Sequence, residues 1–212
     1  MTADITVVLT NWKRRDNLKK IVQDLRRQTV PLIIQVWDNS GVGQEDEDVD
    51  LWITSSKNVG CTPRWRLIQS AGTKWACFLD DDLTAKSRAF ELAMQIAEDT
   101  SPLGIEGRKY LPNKPYKDAV KVEDGECDVI LGRFWFLRTS HAQKLNLDFT
   151  IDPMVTWEDV AGSTLFTKKY ISKQLRKMFV NLPTGDESLW KRGQIHFDER
   201  EAARQRYSKC LH

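Results

Sequence analysis

The sequence predicts an α/β fold with one mixed, mainly parallel sheet flanked by helices, and three stretches predict it. Ile5 to Leu9 (ITVVL), Leu32 to Trp37 (LIIQVW) and Trp75 to Leu79 (WACFL) are short apolar runs suited to strands buried on both faces. Between the first two, Leu18, Ile21, Val22 and Leu25 recur at helical spacing. A strand, helix, strand unit of this length is a right-handed parallel crossover. The third run ends in Asp80, Asp81 and Asp82. Three adjacent like charges repel, so they require a cation nearby, whereas a helix N-cap would use only one of them.

A chain of 212 residues, with 41% hydrophobic and 29% charged residues, is an ordinary globule of one domain. Residues 1–100 are expected to form a nucleotide-binding half and residues 101–212 an acceptor and catalytic half. With 32 basic against 30 acidic residues, net charge makes no case for nucleic acid or acidic membranes. The four cysteines contain no CxxC pair, which argues against a zinc or redox motif, and Cys77 reads as core. The first residues carry no leader pattern and no apolar run reaches membrane-spanning length. A monomer in the cytoplasm, the host cytoplasm if the source is viral, is the expectation.

In chain order, residues 10–15 form a polar, basic turn, Asp16 stands at a helix start, and that helix ends near Gln28, before Pro31. Asp38-Asn39-Ser40-Gly41 is turn chemistry at a strand's carboxyl end, and the acidic run 44–50 reads as a solvated loop. Residues 51–54 form a short strand. Pro63 opens a helix over 64–71 that points Trp65 and Ile68 inward and leaves Arg64 free at its N-terminal end. A buried helix spans 87–97 and a short strand 103–106, followed by a long surface excursion over 108–126. Residues 128–137 read as one strand, with Gly132 a bulge or a point of close approach. A short helix over 139–145 and an irregular stretch over 148–156 precede a helix opened by Trp157-Glu158-Asp159-Val160, with Val160, Leu165 and Phe166 inward. A basic segment, a last strand over 179–182 and a polar helix over 198–210 complete the chain.

The carboxyl edge of such a sheet is where nucleotides bind, and the Thr10-Asn11 turn, Asp38 and the aspartate triplet all fall there. No GxGxxG follows the first strand and no GxxxxGK[ST] occurs, so dinucleotide and P-loop folds are unsupported. A nucleotide held through carboxylates and a hard divalent ion remains.

A hydrophobic strand ending in DxD, here FLDDDL, resembles the hallmark of the glycosyltransferase-A (GT-A) family, a Rossmann-like nucleotide-binding fold. The opening VVLTNWKRRDNLKKIVQDLRRQ, with VWDNS after it, is similar to that family's nucleotide-binding half. The WED element at residues 157–159, and His196, Glu199 and Arg204 after it, resemble the exostosin-type transferases. The whole is similar to the N-terminal glycosyltransferase domains of chlorella-virus multidomain proteins.

This resemblance implies a transferase that moves a hexose or deoxyhexose, glucose- or rhamnose-like, from a UDP-sugar to a glycan hydroxyl, with Mn2+ or Mg2+ as cofactor. It implies that Asp82 and Asp80, with His196 as a third ligand, bind the metal, and that Asp80 or Asp81 meets the ribose or sugar. Thr10, Asn11 and Asp38 would hold the base, Asn58 and Arg64 would lie near the ribose and phosphates, and Arg204 would clamp the diphosphate. Asp159, or Glu158 in its place, would be the base of an inverting transfer, although exostosin-like relatives retain configuration. Trp157 and Trp135 offer faces for a sugar ring. Two other readings stay open: a sugar-nucleotide nucleotidyltransferase, for which TNWKRRD has the bases without the glycines, and a non-catalytic nucleotide- or glycan-binding domain.

Overall fold

The computed structural model describes residues 3–43, 48–143, 157–184 and 193–208. Strand β1 (Ile5–Asn11) is buried along its whole length, as its β-branched run requires of a central strand. Helix α1 (Arg15–Arg26) lays Leu18, Ile21, Val22 and Leu25 on the sheet, and Asp16 stands in its first turn rather than at the cap. Strand β2 (Leu32–Asp38), strand β3 (Leu51–Thr54), helix α2 (Pro63–Gln69) and strand β4 (Trp75–Asp80) follow. β2, β1 and β4 lie parallel and adjacent, and β3 adds parallel to β2.

Past the triplet, the short strand β5 (Leu83–Ala85) leads into helix α3 (Ala89–Ile96). The excursion over 108–126 is more ordered than its composition suggests. After β6 (Leu103–Gly104) come β7 (Gly107–Lys109), β8 (Val120–Val122) and β9 (Gly125–Glu126), with a 3-10 turn at Tyr116–Asp118 that buries Tyr116. The strand expected over 128–137 is two, β10 (Val129–Ile130) and β11 (Phe134–Arg138), because the chain turns at Gly132. A Cβ on that glycine would lie 2.6 Å from Arg64 Nη2, so it is a point of close approach.

Helices α4 (Thr139–Gln143) and α5 (Glu158–Ser163), strand β12 (Tyr170–Ile171), helix α6 (Lys173–Arg176), strand β13 (Phe179–Asn181) and helix α7 (Gln194–Ser208) complete the described chain. The irregular stretch 148–156 and the far end of the last helix fall outside the described residues. Val160 and Phe166 turn inward as expected, whereas Leu165 is 44% exposed.

The main sheet runs β3-β2-β1-β4-β11-β6-β12-β9, with β10-β7-β8 and β13-β5 as smaller sheets. One face packs Ile5, Val7, Leu9, Cys77 and Leu79 against α1 and α3. The other packs Val8, Ala76, Phe78 and Trp135 against Trp65 and Ile68 of α2. From β1 the chain steps outward to β2 and β3, then returns to the opposite side of β1 as β4. That reversal opens a crevice at the carboxyl ends of β1 and β4, the position where open α/β sheets bind ligands. No helix among the described residues is long and apolar enough to cross a membrane.

Candidate active site at the carboxyl edge of the sheet

Strand register builds the site. Thr10 stands opposite Asp80, and Asn11 opposite Asp38. Asn11 Nδ2 donates to Asp38 Oδ1 at 2.8 Å, while the Ser40 amide and hydroxyl bind the same carboxylate at 3.0 and 2.8 Å. Asp38 is therefore fully buried, with both carboxylate oxygens accepting hydrogen bonds from the protein. Its function in the fold is to orient Asn11, whose Oδ1 is buried without a hydrogen-bond partner among the described residues. Asn58 accepts from the Gly60 amide at 2.9 Å and so shapes the loop before α2.

Each aspartate of the triplet meets an arginine. Asp80 Oδ1 accepts from Arg64 Nη1 at 2.9 Å, Asp81 pairs with Arg14, and Asp82 Oδ1 accepts from Arg133 Nη2 at 3.0 Å. Burial, aided by the neighbouring charges of Asp82 and Asp81 and opposed by Arg64, pushes the Asp80 carboxyl up to about 6. Burial also raises Asp81, opposed by Arg14.

Arg64 is not free at a helix end: it is 2% exposed. It also donates to the Gly132 carbonyl at 2.9 Å and pairs with Glu158, so one guanidinium ties α2, β4, the β10–β11 turn and α5 together. Burial raises the Glu158 carboxyl, with Arg64 opposing.

Asp159 is held as firmly. Its Oδ2 accepts from the Gly132 amide at 2.9 Å and from Arg200 Nη2 at 2.6 Å, and its Oδ1 from the Val160 amide at 2.8 Å. Arg200 in turn lies 4.9 Å over the Tyr116 ring. Arg204 donates to the Lys114 carbonyl at 3.0 Å and stacks 4.6 Å over Tyr110, so α7 braces the excursion with it instead of presenting it to the triplet. Trp135 is core, packed edge-on to Trp65 at 5.5 Å, and Trp157 lies against Tyr207.

No group of three or more His, Cys, Asp or Glu side chains among the described residues is arranged to hold a metal ion. His196, buried beside Phe197, therefore does not join Asp80 and Asp82 as a third ligand. The two aspartates fit a shared ion all the same. Among the described residues neither Oδ2 has a donor in hydrogen-bond range, and Arg14 Nη1 stands 3.8 Å from Asp82 Oδ2. Ions of this class take one or two carboxylates and complete their shell from substrate phosphates and water.

Sequence reasoning missed Arg14, Arg133 and Arg200. Only Arg14 carried a local signal, in the basic turn that follows β1.

No family model matches this chain, and no curated protein does. Solved structures do. A mannosyltransferase from Pyrobaculum calidifontis, PcManGT, in complex with GDP-Man and Mn2+, superposes with a TM-score of 0.63 at 11% identity, covering 92% of this chain and 61% of that one. S. aureus TarS superposes with a TM-score of 0.56 at 14% identity over 80% of this chain. Its 1–349 fragment in complex with UDP-GlcNAc gives 0.55 at 13%. This chain spans 35% of the first TarS chain and 56% of the fragment. At such identities the likeness is one of architecture, and the architecture is the GT-A fold.

Proposed function

We propose that this chain is a metal-dependent glycosyltransferase that moves a hexose or deoxyhexose from a nucleoside diphosphate sugar, UDP-linked in the first instance, to a glycan hydroxyl. One observation carries the reading: Asp80 and Asp82, each with an open Oδ2, stand at the sheet's reversal point beside Asn11 and its unpartnered buried acceptor. The neighbours in complex with UDP-GlcNAc and with GDP-Man and Mn2+ support it.

Asn11 Oδ1 would accept an N–H of the base, as uracil N3–H provides, with Asp38 fixing the amide's orientation. Thr10 and Asn58 line the same edge, and Arg64 sets the direction of Asp80. Asp80 and Asp82 would hold Mn2+ or Mg2+, which supplies charge neutralisation for the departing nucleoside diphosphate.

On the acceptor side Asp159 is the base in this reading and takes the acceptor hydroxyl proton on Oδ2 once Arg200 gives up its hydrogen bond there; Glu158 stays beside it as the alternative. The occupied Oδ2 equally favours a second reading, transfer with retention, as in the exostosin-type transferases that the WED element resembles. The anomeric configuration of the product, read by NMR, separates the two.

The deciding experiment is calorimetry with UDP or GDP in the presence and absence of Mn2+, followed by a hydrolysis and transfer screen of UDP-, GDP- and TDP-sugars. Metal-dependent nucleotide binding that is lost in Asp82→Ala is expected. Absence of nucleotide binding by the wild-type chain would sink the proposal.

A further inference from the structure

We propose that Arg14 is a built-in counter-cation that occupies the aspartate edge until nucleotide arrives, and so makes divalent-metal binding conditional on nucleoside diphosphate. The inference rests on the donor and metal reading above.

The turn after β1 is built to bring Arg14 back over the strand end. Lys13 has a φ of 63°, in the left-handed region that non-glycine residues rarely adopt and that persists only where the surroundings impose it. Arg14 then pairs with Asp81, approaches Asp82 Oδ2 to 3.8 Å and donates from Nε to the Thr184 carbonyl at 3.1 Å. Beside it, Asn17 Nδ2 reaches both the Asp81 carbonyl at 2.9 Å and the Pro183 carbonyl at 2.8 Å.

Charge accounting shows why this matters. Asp80, Asp81 and Asp82 already face Arg64, Arg14 and Arg133, one guanidinium for each carboxylate. Further out, Glu158 shares Arg64 with Asp80, and Glu106 pairs with both Arg133 and Arg176. A divalent ion arriving alone therefore meets a nearly neutral edge, with a fixed cation close to the one open oxygen of Asp82. A nucleoside diphosphate changes both terms. Its phosphate oxygens supply anionic ligands for the ion, and they offer Arg14 a bidentate partner in place of Asp81.

Of the three arginines only Arg14 is free to make that exchange. Arg64 is fixed by the Gly132 carbonyl and Glu158, and Arg133 by Glu106, Asn181 and Asp82. Arg14 holds one carboxylate closely and one carbonyl.

The test is Mn2+ binding, followed by the electron paramagnetic resonance signal of free Mn2+, for the wild type, Arg14→Gln, Arg14→Ala and Arg14→Lys, each with and without UDP or GDP. Without nucleotide, Arg14→Gln and Arg14→Ala are expected to bind Mn2+ about tenfold more tightly than the wild type. With Mn2+ present they bind nucleotide about tenfold more weakly, so the mutual enhancement of the two ligands shrinks on both sides. Arg14→Lys keeps the wild-type pattern. Either charge-removing variant that folds by circular dichroism suffices, and nucleotide-free Mn2+ affinity that is unchanged or weaker in it overturns the role of Arg14. Failure of every form, wild type included, to bind Mn2+ with either nucleotide overturns the donor and metal reading itself.

Discussion

Arg200 on the C-terminal helix donates a 2.6 Å hydrogen bond to Asp159, 41 residues earlier in the chain, on the same oxygen that accepts from the Gly132 amide. The carboxylate proposed to act on the acceptor is thus also the joint between α5, α7 and the β10–β11 turn. Chemistry and architecture must be separated by the choice of substitution. Asp159→Asn keeps a carbonyl-type acceptor for the Gly132 amide but not the basicity. It is expected to retain UDP binding while turnover falls at least ~100-fold, with a lowered melting temperature because buried Arg200 then faces a neutral amide in place of a carboxylate. Near-normal turnover in Asp159→Asn would remove the residue from the mechanism.

Gly132 is predicted to tolerate no side chain. A Cβ there would lie 2.6 Å from Arg64 Nη2 and 3.5 Å from Glu158 Oε1, both members of a buried network with little room to give. Gly132→Ala should cost ~1–3 kcal/mol of stability, the usual range for overpacking. Urea denaturation measures it, and a change below about 0.5 kcal/mol would contradict the close-packed turn.

Arg64→Met is expected to be the most damaging single change at the site. It leaves Glu158 buried without its cation and Asp80 without its nearest one. Breaking a buried pair from one side costs about 3–5 kcal/mol, much of it the penalty of the stranded charge. Adding Glu158→Gln removes one stranded charge, so the double variant should recover part of that loss. A double-mutant cycle in urea reads the coupling, and simple additivity would show that the two side chains do not share the interaction.

Asp24 gives a pH-dependent prediction away from the site. Burial works to raise its carboxyl, but hydrogen bonds from Lys20 Nζ at 2.9 Å and Thr84 Oγ1 at 2.8 Å, with the charges of Lys20 and Arg27, hold it below its ordinary value of 3.8. A depressed folded-state value means stability that is complete above pH 3.8 and lost as pH falls through the lower folded value. Asp24→Asn should therefore cost about 1 kcal/mol at pH 7 and less at pH 3, where the carboxylate's advantage over its unfolded state has begun to fall. Thermal melts at the two pH values test it, and an equal cost at both would refute the linkage.

The fold was legible because its signals are local. Strand β1 announces itself in the β-branched run Ile5 to Leu9, four of whose five residues are apolar, and the edge residues Thr10, Asn11, Asp38 and Asp80 follow from where each run stops. The single strand expected over 128–137 failed on a tertiary contact: Arg64, 68 residues away, needs the Gly132 carbonyl and leaves no room for a regular pleat there. The counter-ions were illegible for the same reason. Arg14, Arg133 and Arg200 reach their aspartates across 67, 51 and 41 residues, and nothing in the neighbouring sequence distinguishes Arg133 or Arg200 from other surface arginines. His196 shows the converse failure, a residue type that suggested a ligand and that the fold uses as a buried side chain on α7.

The one-to-one pairing of three arginines with three aspartates also bears on how the protein can be cut. Arg14 and Arg64 precede the triplet, but Arg133 lies well beyond it, past the excursion and the β10–β11 turn. A fragment of the first hundred residues would carry three carboxylates and only two of their partners. Those residues are therefore not an exchangeable module, and transplanting them calls for Arg133 and the turn that carries it.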